Sequence, residues 1–267
     1  FKKIGLTALA ASLVSVSAHA GEMSVAGSAS MNVEGYSGED MNAGSGFSMG
    51  NQLTFSGSGE LDNGMNVSLS FVIDQNDDTT LGQTARESNS PFDSHSVTVS
   101  SDTLGTLVFS GEGGSSAQSA IDTTAAGDAW DNGSGITAIR SSEAGNNSML
   151  YTFPSVVDDL TVKASYSPGS AGGGSATAYH IGYAGVEGLT LDYAVGETET
   201  IGSEQEHTTM KASYAYSSFT LSYSQTESAY DTDADGTDEE VSSWNVAYTV
   251  SDDLSVSYGT ETIETEG

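Results

Sequence analysis

The feature that most constrains this chain is an alternation of period two. In "LTVKASYS", Leu160, Val162, Ala164 and Tyr166 fall on one face, and Thr161, Lys163 and Ser165 on the other. "MKASYAY" sets Met210, Ala212, Tyr214 and Tyr216 against Lys211, Ser213 and Ala215. "FTLSYSQ" sets Phe219, Leu221 and Tyr223 against Thr220, Ser222 and Ser224, and "WNVAYTV", "LSVSYG" and "MNVSLSFVI" continue the pattern. Successive side chains of a strand point to opposite faces, so these segments are β-strands with one apolar face. Thirteen strands are expected, at 22–33, 48–61, 65–74, 94–101, 106–111, 148–153, 160–167, 176–184, 189–198, 207–216, 219–228, 241–250 and 254–263. A soluble sandwich would show the same period, because it too buries one face of each strand.

Two further features separate the alternatives. The polar face carries Ser, Thr, Gly and an occasional Lys, His or Asp, and the apolar face carries Tyr, Trp or Phe near strand ends. Such strands suit a barrel with lipid outside, water inside and aromatic girdles at both interfaces. The joins also alternate in length. Short ones fall at 62–64, 102–105, 154–159, 185–188, 217–218 and 251–253, and long polar ones at 34–47, 75–93, 112–147, 168–175, 199–206 and 229–240. A barrel with two unlike rims requires that rhythm and a sandwich does not. In lipid every strand edge must be paired, which selects a closed antiparallel transmembrane β-barrel.

The ends and the charge agree. "FKKIGLTALAASLVSVSAHA" has two lysines, an apolar run too short to span a bilayer and an Ala-x-Ala ending. Residues 1–20 are therefore expected to be a cleaved export signal, with one barrel domain over 21–267. With Lys2 and Lys3 in the leader, four bases face 37 acids, a net charge of −33. That balance excludes nucleic acid as a partner and favours cations. With no cysteine in the chain, disulfides contribute nothing. Thirteen is an odd count where single-chain bacterial barrels are mostly even, and "TETIETEG" ends in mid-hairpin, so further strands are expected beyond residue 267.

The signal, the first strand "GEMSVAGSASMNVEGY", the hairpin "GSGELDNGMNVSLSFVID", the unit "LGTLVFSGEGGSSAQSA" and "LYTFPSVVDDLTVKASYS" together resemble the Gram-negative general porins, nearest to the alphaproteobacterial branch. The resemblance implies a sixteen-stranded barrel, usually a homotrimer, in the outer membrane, with about thirteen of its strands in this chain. It also implies a third outer loop that folds inward and narrows a channel for small hydrophilic solutes. The longest join, 112–147, falls where that loop lies and carries Glu112, Asp122, Asp128, Asp131, Arg140 and Glu143. Related porins set such acids against bases across the pore; here the inward-facing candidates are Lys163, Lys211 and His180, with Asp192 also inward. Carboxylates at a narrow aqueous point attract cations. The expectation is a water-filled, cation-preferring channel for passive diffusion, with outer-membrane lipid and small solutes as partners and no required cofactor.

"DTDADGTDEE" places Asp231, Asp233, Asp235, Gly236 and Thr237 as in the first half of a calcium loop. Residue 12 of such a loop would be Ser242, which lacks the bidentate carboxylate, and the flanks are strands. Weak Ca²⁺ or Mg²⁺ binding at Asp231, Asp233, Asp235 and Thr237 is the remaining expectation, and a calcium-dependent surface adhesin or structural β protein is the alternative function. No zinc-protease, serine-elbow or phosphate-loop motif occurs, so no enzyme is expected.

Overall fold

A computed structural model describes residues 23–36, 44–74, 92–121, 124–126, 146–169, 174–200, 202–231, 238–251 and 253–266. Thirteen strands run in chain order: β1 (Met23–Tyr36), β2 (Gly44–Glu60), β3 (Asn66–Asp74), β4 (Phe92–Ser101), β5 (Gly105–Glu112), β6 (Ser148–Thr152), β7 (Leu160–Ser167), β8 (Ser175–Val186), β9 (Leu189–Thr200), β10 (Ser203–Tyr216), β11 (Phe219–Tyr230), β12 (Asp238–Ser251) and β13 (Leu254–Glu266). The sheet order is the chain order, and the pairings are antiparallel. All thirteen expected strands are present. Among the described residues no helix is long and apolar enough to cross a membrane, which says nothing of crossing by strands.

The chain divides into two compact units. The first takes residues 23–101 with 110–113, and holds β1–β4. Its register makes the alternation physical. Val25 pairs Phe55, which pairs Phe71, while one position along Ser24 pairs Ser56, Ser56 pairs Ser70 and Ser70 pairs Ser96. One face is thus apolar and the other a row of hydroxyls, with Ser24 and Ser56 hydrogen-bonded at 2.7 Å. The β2–β3 hairpin closes on Asp62-Asn63-Gly64. Leu61 and Met65 bond across it at 2.7 Å, Asn63 Oδ1 accepts from the Met65 amide at 3.1 Å, and Gly64 takes φ 81°. Only glycine adopts that φ without a steric cost.

The second unit takes residues 102–109 and 114–267 and holds β6–β13 with most of β5. Its apolar face carries Leu191, Leu221 and Val246. Tyr179, Tyr193, Tyr223 and Trp244 lie on its long-join side, and Tyr214, Tyr216, Phe219 and Tyr248 on its short-join side. These two aromatic rows match the girdles of a membrane-crossing sheet. Phe219 and Tyr248 sit 4.7 Å apart, and Trp244 and Tyr258 pack edge-on at 5.6 Å.

Strands of this unit outrun their expected ends on the long-join side. β9 continues to Thr200 and β10 starts at Ser203, so the expected long join 199–206 is cut to residues 201–202, with Gly202 at φ 86°. The ladder continues past the apolar band, where both faces turn polar and the alternation that marks a strand in the sequence fades. This end of the hairpin carries Glu197, Glu199, Glu204 and Glu206 on the same side as the apolar band, in the cross-strand pairs Glu197–Glu206 and Glu199–Glu204.

Candidate functional site

After β5 the chain turns at Gly113, φ 70°, and in the second unit runs across the polar face of the sheet. Its anchors fall on β7 and on β10 to β13. The Ala117 amide donates to Ser165 Oγ of β7 at 2.8 Å. Gln118 Nε2 donates to Thr209 Oγ1 of β10 at 3.1 Å. The Ala125 amide donates to Ser224 Oγ of β11 at 2.8 Å, and the Ala126 amide to Ser243 Oγ of β12 at 2.9 Å. Thr124 Oγ1 bonds Glu261 of β13. Between the first and last anchors a 3-10 turn, Gln118–Ala120, packs on β8 and β9.

Backbone amides removed from water must find acceptors, and a wall of Ser and Thr supplies them. Alanine at 117, 125 and 126 lets the main chain come within hydrogen-bond distance of that wall. The result is a polar interior: the largest fully buried side chains among the described residues are Gln118, Thr209, Ser224 and Ser243.

Bordering this segment lies a charged row. Lys163 of β7 is in register with His180 of β8, and Asp192 of β9 with Lys211 of β10. His180 Nε2 and Asp192 Oδ1 close the diagonal between them at 3.0 Å. Gly182 pairs Asp192, and a Cβ there would stand 2.7 Å from Asp192 Oδ1 and 3.0 Å from His180 Cε1. The missing side chain is the space that the pair occupies. The imidazole is covered, 4% exposed, and Asp192 is 32% exposed. The row sits two residues along β7 from Ser165 and two along β10 from Thr209, on the short-join side of the anchored segment. Lys163 and Lys211 are the only Lys or Arg among the described residues.

The four wall candidates, Lys163, His180, Asp192 and Lys211, are thus brought together. Glu112 ends β5 in the other unit. Asp122, Asp128, Asp131, Arg140 and Glu143 lie outside the described residues, as do Asp233, Asp235 and Thr237 of the expected divalent-cation loop. Asp231 is described, and its amide donates to the Glu204 carbonyl at 2.9 Å. The carboxylate grouping that the structure does assemble is another one: oxygens of Glu197, Glu199 and Glu204 lie within 4.8 Å of one another. Glu197 first, then partial burial, Asp231, Glu199 and Glu206, push the Glu204 carboxyl above its usual range. Sequence reasoning missed the anchors Ser165, Thr209, Ser224, Ser243 and Glu261. Their polar-face parity was visible, but the loop atoms they would meet were not.

A family model described as Gram-negative porin matches residues 5–266. The chain belongs to the Gram-negative porins. Solved porins share its fold. A porin structure refined at 1.8 Å aligns at 16% identity and TM-score 0.61, covering 91% of this chain and 84% of the other. A loop-deletion mutant of OmpT, an outer membrane protein of Vibrio cholerae, aligns at 12% identity and TM-score 0.62, covering 92% and 82%. The anion-selective porin of Comamonas acidovorans aligns at 16% identity and TM-score 0.58, covering 90% and 79%. No curated protein sequence matches the chain. Membership makes this porin an outer-membrane channel of antiparallel transmembrane β-barrel class.

Proposed function

We propose that this porin passes ions and small hydrophilic solutes by passive diffusion, that the anchored segment sets the width of the passage, and that cations are preferred. The observation that carries the reading is that residues 114–121 and 124–126 are held across the polar face by anchors on β7, β10, β11, β12 and β13. A wide barrel conducts water unless something is laid across it. The sign of the preference does not follow from the fold, since the porin of Comamonas acidovorans is anion-selective. It follows from the charge of the whole chain, 37 acids against four bases once the leader is removed, which outweighs the locally positive row of Lys163, Lys211 and Asp192. A field of that sign, focused by low-dielectric walls, draws cations and repels anions.

In the same reading the leader 1–20 is removed on export, and the porin works as a homotrimer, like the trimer form of OmpT from Vibrio cholerae. Ca²⁺ or Mg²⁺ binds weakly through Asp231, Asp233, Asp235 and Thr237. The adhesin alternative draws no support from the comparisons. Planar-bilayer recordings test the reading. Deleting residues 114–126 should raise single-channel conductance, and reversal potentials in a KCl gradient should report cation preference. Unchanged conductance would remove the segment's role, and anion preference would remove the electrostatic one.

A further inference from the structure

Resting on the reading that the anchored segment sets the width of the passage, we infer that Gly259 of β13 is a specificity-determining residue. By lacking a side chain it fixes how far residues 124–126 stand out from the wall, and so the size of solute that passes. Alternation along β13 puts Ser257, Gly259 and Glu261 on the polar face, in register with Ala247, Asn245 and Ser243 of β12. Glycine inside a strand weakens it and marks a place where another backbone comes close. Here that backbone is the inward segment.

The Ala126 amide donates to Ser243 Oγ at 2.9 Å, and Thr124 Oγ1 bonds Glu261. Between these two points a Cβ at Gly259 would stand 3.1 Å from Ala126 Cβ. It would also stand 2.7 Å from the Trp244 carbonyl oxygen and 3.3 Å from Asn245 Nδ2. Carbon atoms in contact prefer about 3.5–4.0 Å, so the added carbon must displace a neighbour. Trp244 belongs to a strand paired on both sides, to β11 and to β13. Residues 124–126 rest instead on the side chains of Glu261, Ser224 and Ser243. The segment is therefore the part that gives, and it gives away from the wall, into the passage. The cover ends here: Ser243 is buried and Glu261 half-buried, while Ser257, two residues along β13 from Gly259, is exposed.

The experiment records single-channel KCl conductance of the full chain in planar bilayers, with polyethylene glycols of graded size added to find the largest that enters. Gly259→Ala should lower the conductance by roughly a tenth, the share of cross-section lost when one wall of a solute-sized passage advances by about half an ångström to restore ordinary contact. Gly259→Val should lower it further and move the polymer cut-off to smaller sizes. Removing the facing methyl tests the route: Gly259→Ala/Ala126→Gly should recover most of the loss. No recovery would mean that the effect arrives through the Trp244 carbonyl, and the inference falls. Where Gly259→Val does not fold, Ala126→Val closes the same gap from the segment's side and should also lower the conductance; a value equal to the wild type's overturns the inference. Should both Gly259 variants conduct like the wild type while deletion of residues 114–126 raises conductance, the inference alone fails. Should the deletion change nothing, the reading falls and the inference with it.

Discussion

Gly182 shows how finely a wall position is set. Its neighbours His180 and Asp192 use the room that any side chain would fill. The nearest atom is the far end of a carboxylate, so Gly182→Ala should be absorbed by a small rotation of Asp192. Gly182→Val should part the pair and remove a hydrogen bond to a charged group, worth about 1.5–3 kcal/mol. Thermal unfolding in detergent checks both, and equal midpoints for the two variants would contradict the close fit. Glu204 gives a second residue-level expectation at the rim, beyond the apolar band. Its carboxyl is raised chiefly by Glu197. The folded state therefore binds that proton more tightly than the unfolded state, whose value is near 4.5. The associated stability is present below that pH and is lost as pH rises through the folded value. Glu197→Gln should flatten the decline of unfolding temperature on raising the pH from 4.5, and an unaltered slope would exclude the repulsion as its cause. The sequence made Lys163, His180, Asp192 and Lys211 candidates through face parity alone; their adjacency depended on register across four strands.

At the scale of elements, the strands were legible because period two is a consequence of the pleat. β7 was expected at 160–167 and is found at Leu160–Ser167. The legibility ends where the apolar band ends. In Glu197–Thr200 and Ser203–Glu206 both faces are polar, so pairing goes on without a pattern to announce it. The anchored segment was legible only as the longest join with small residues. Its seat is built from hydroxyls that look like any other Ser or Thr on a polar face. Replacing Ser165, Ser224 and Ser243 together by Ala should cost about 1 kcal/mol for each hydrogen bond lost, and strands three amides at the wall. Single-channel traces should show a noisier open level while the sheet stays folded. A current as quiet as the wild type's would mean that other contacts hold the segment.

At the scale of the molecule, the usual distribution of residues is reversed. Thirty large apolar side chains are exposed among the described residues, Tyr216, Phe219 and Val256 at 71, 55 and 59%, while Gln, Thr and Ser are the largest that are fully buried. In water such a surface would be an aggregation site; in lipid it is the solvated one. Sidedness can be tested on neighbouring positions. Leu221→Lys should cost roughly 2–4 kcal/mol near the bilayer midplane, whereas Ser222→Lys should cost far less and shift selectivity towards anions. Equal costs would deny that the two faces meet different media.

Three of the bonds that seat the inward segment begin at main-chain nitrogens, which every residue except proline possesses. Substitution at the exposed positions of the segment can therefore redraw its chemistry without unseating it, while the buried Ala117 and Ala125 must stay small. A lineage is free to retune which solutes pass by changing side chains alone, with the scaffold beneath left as it was.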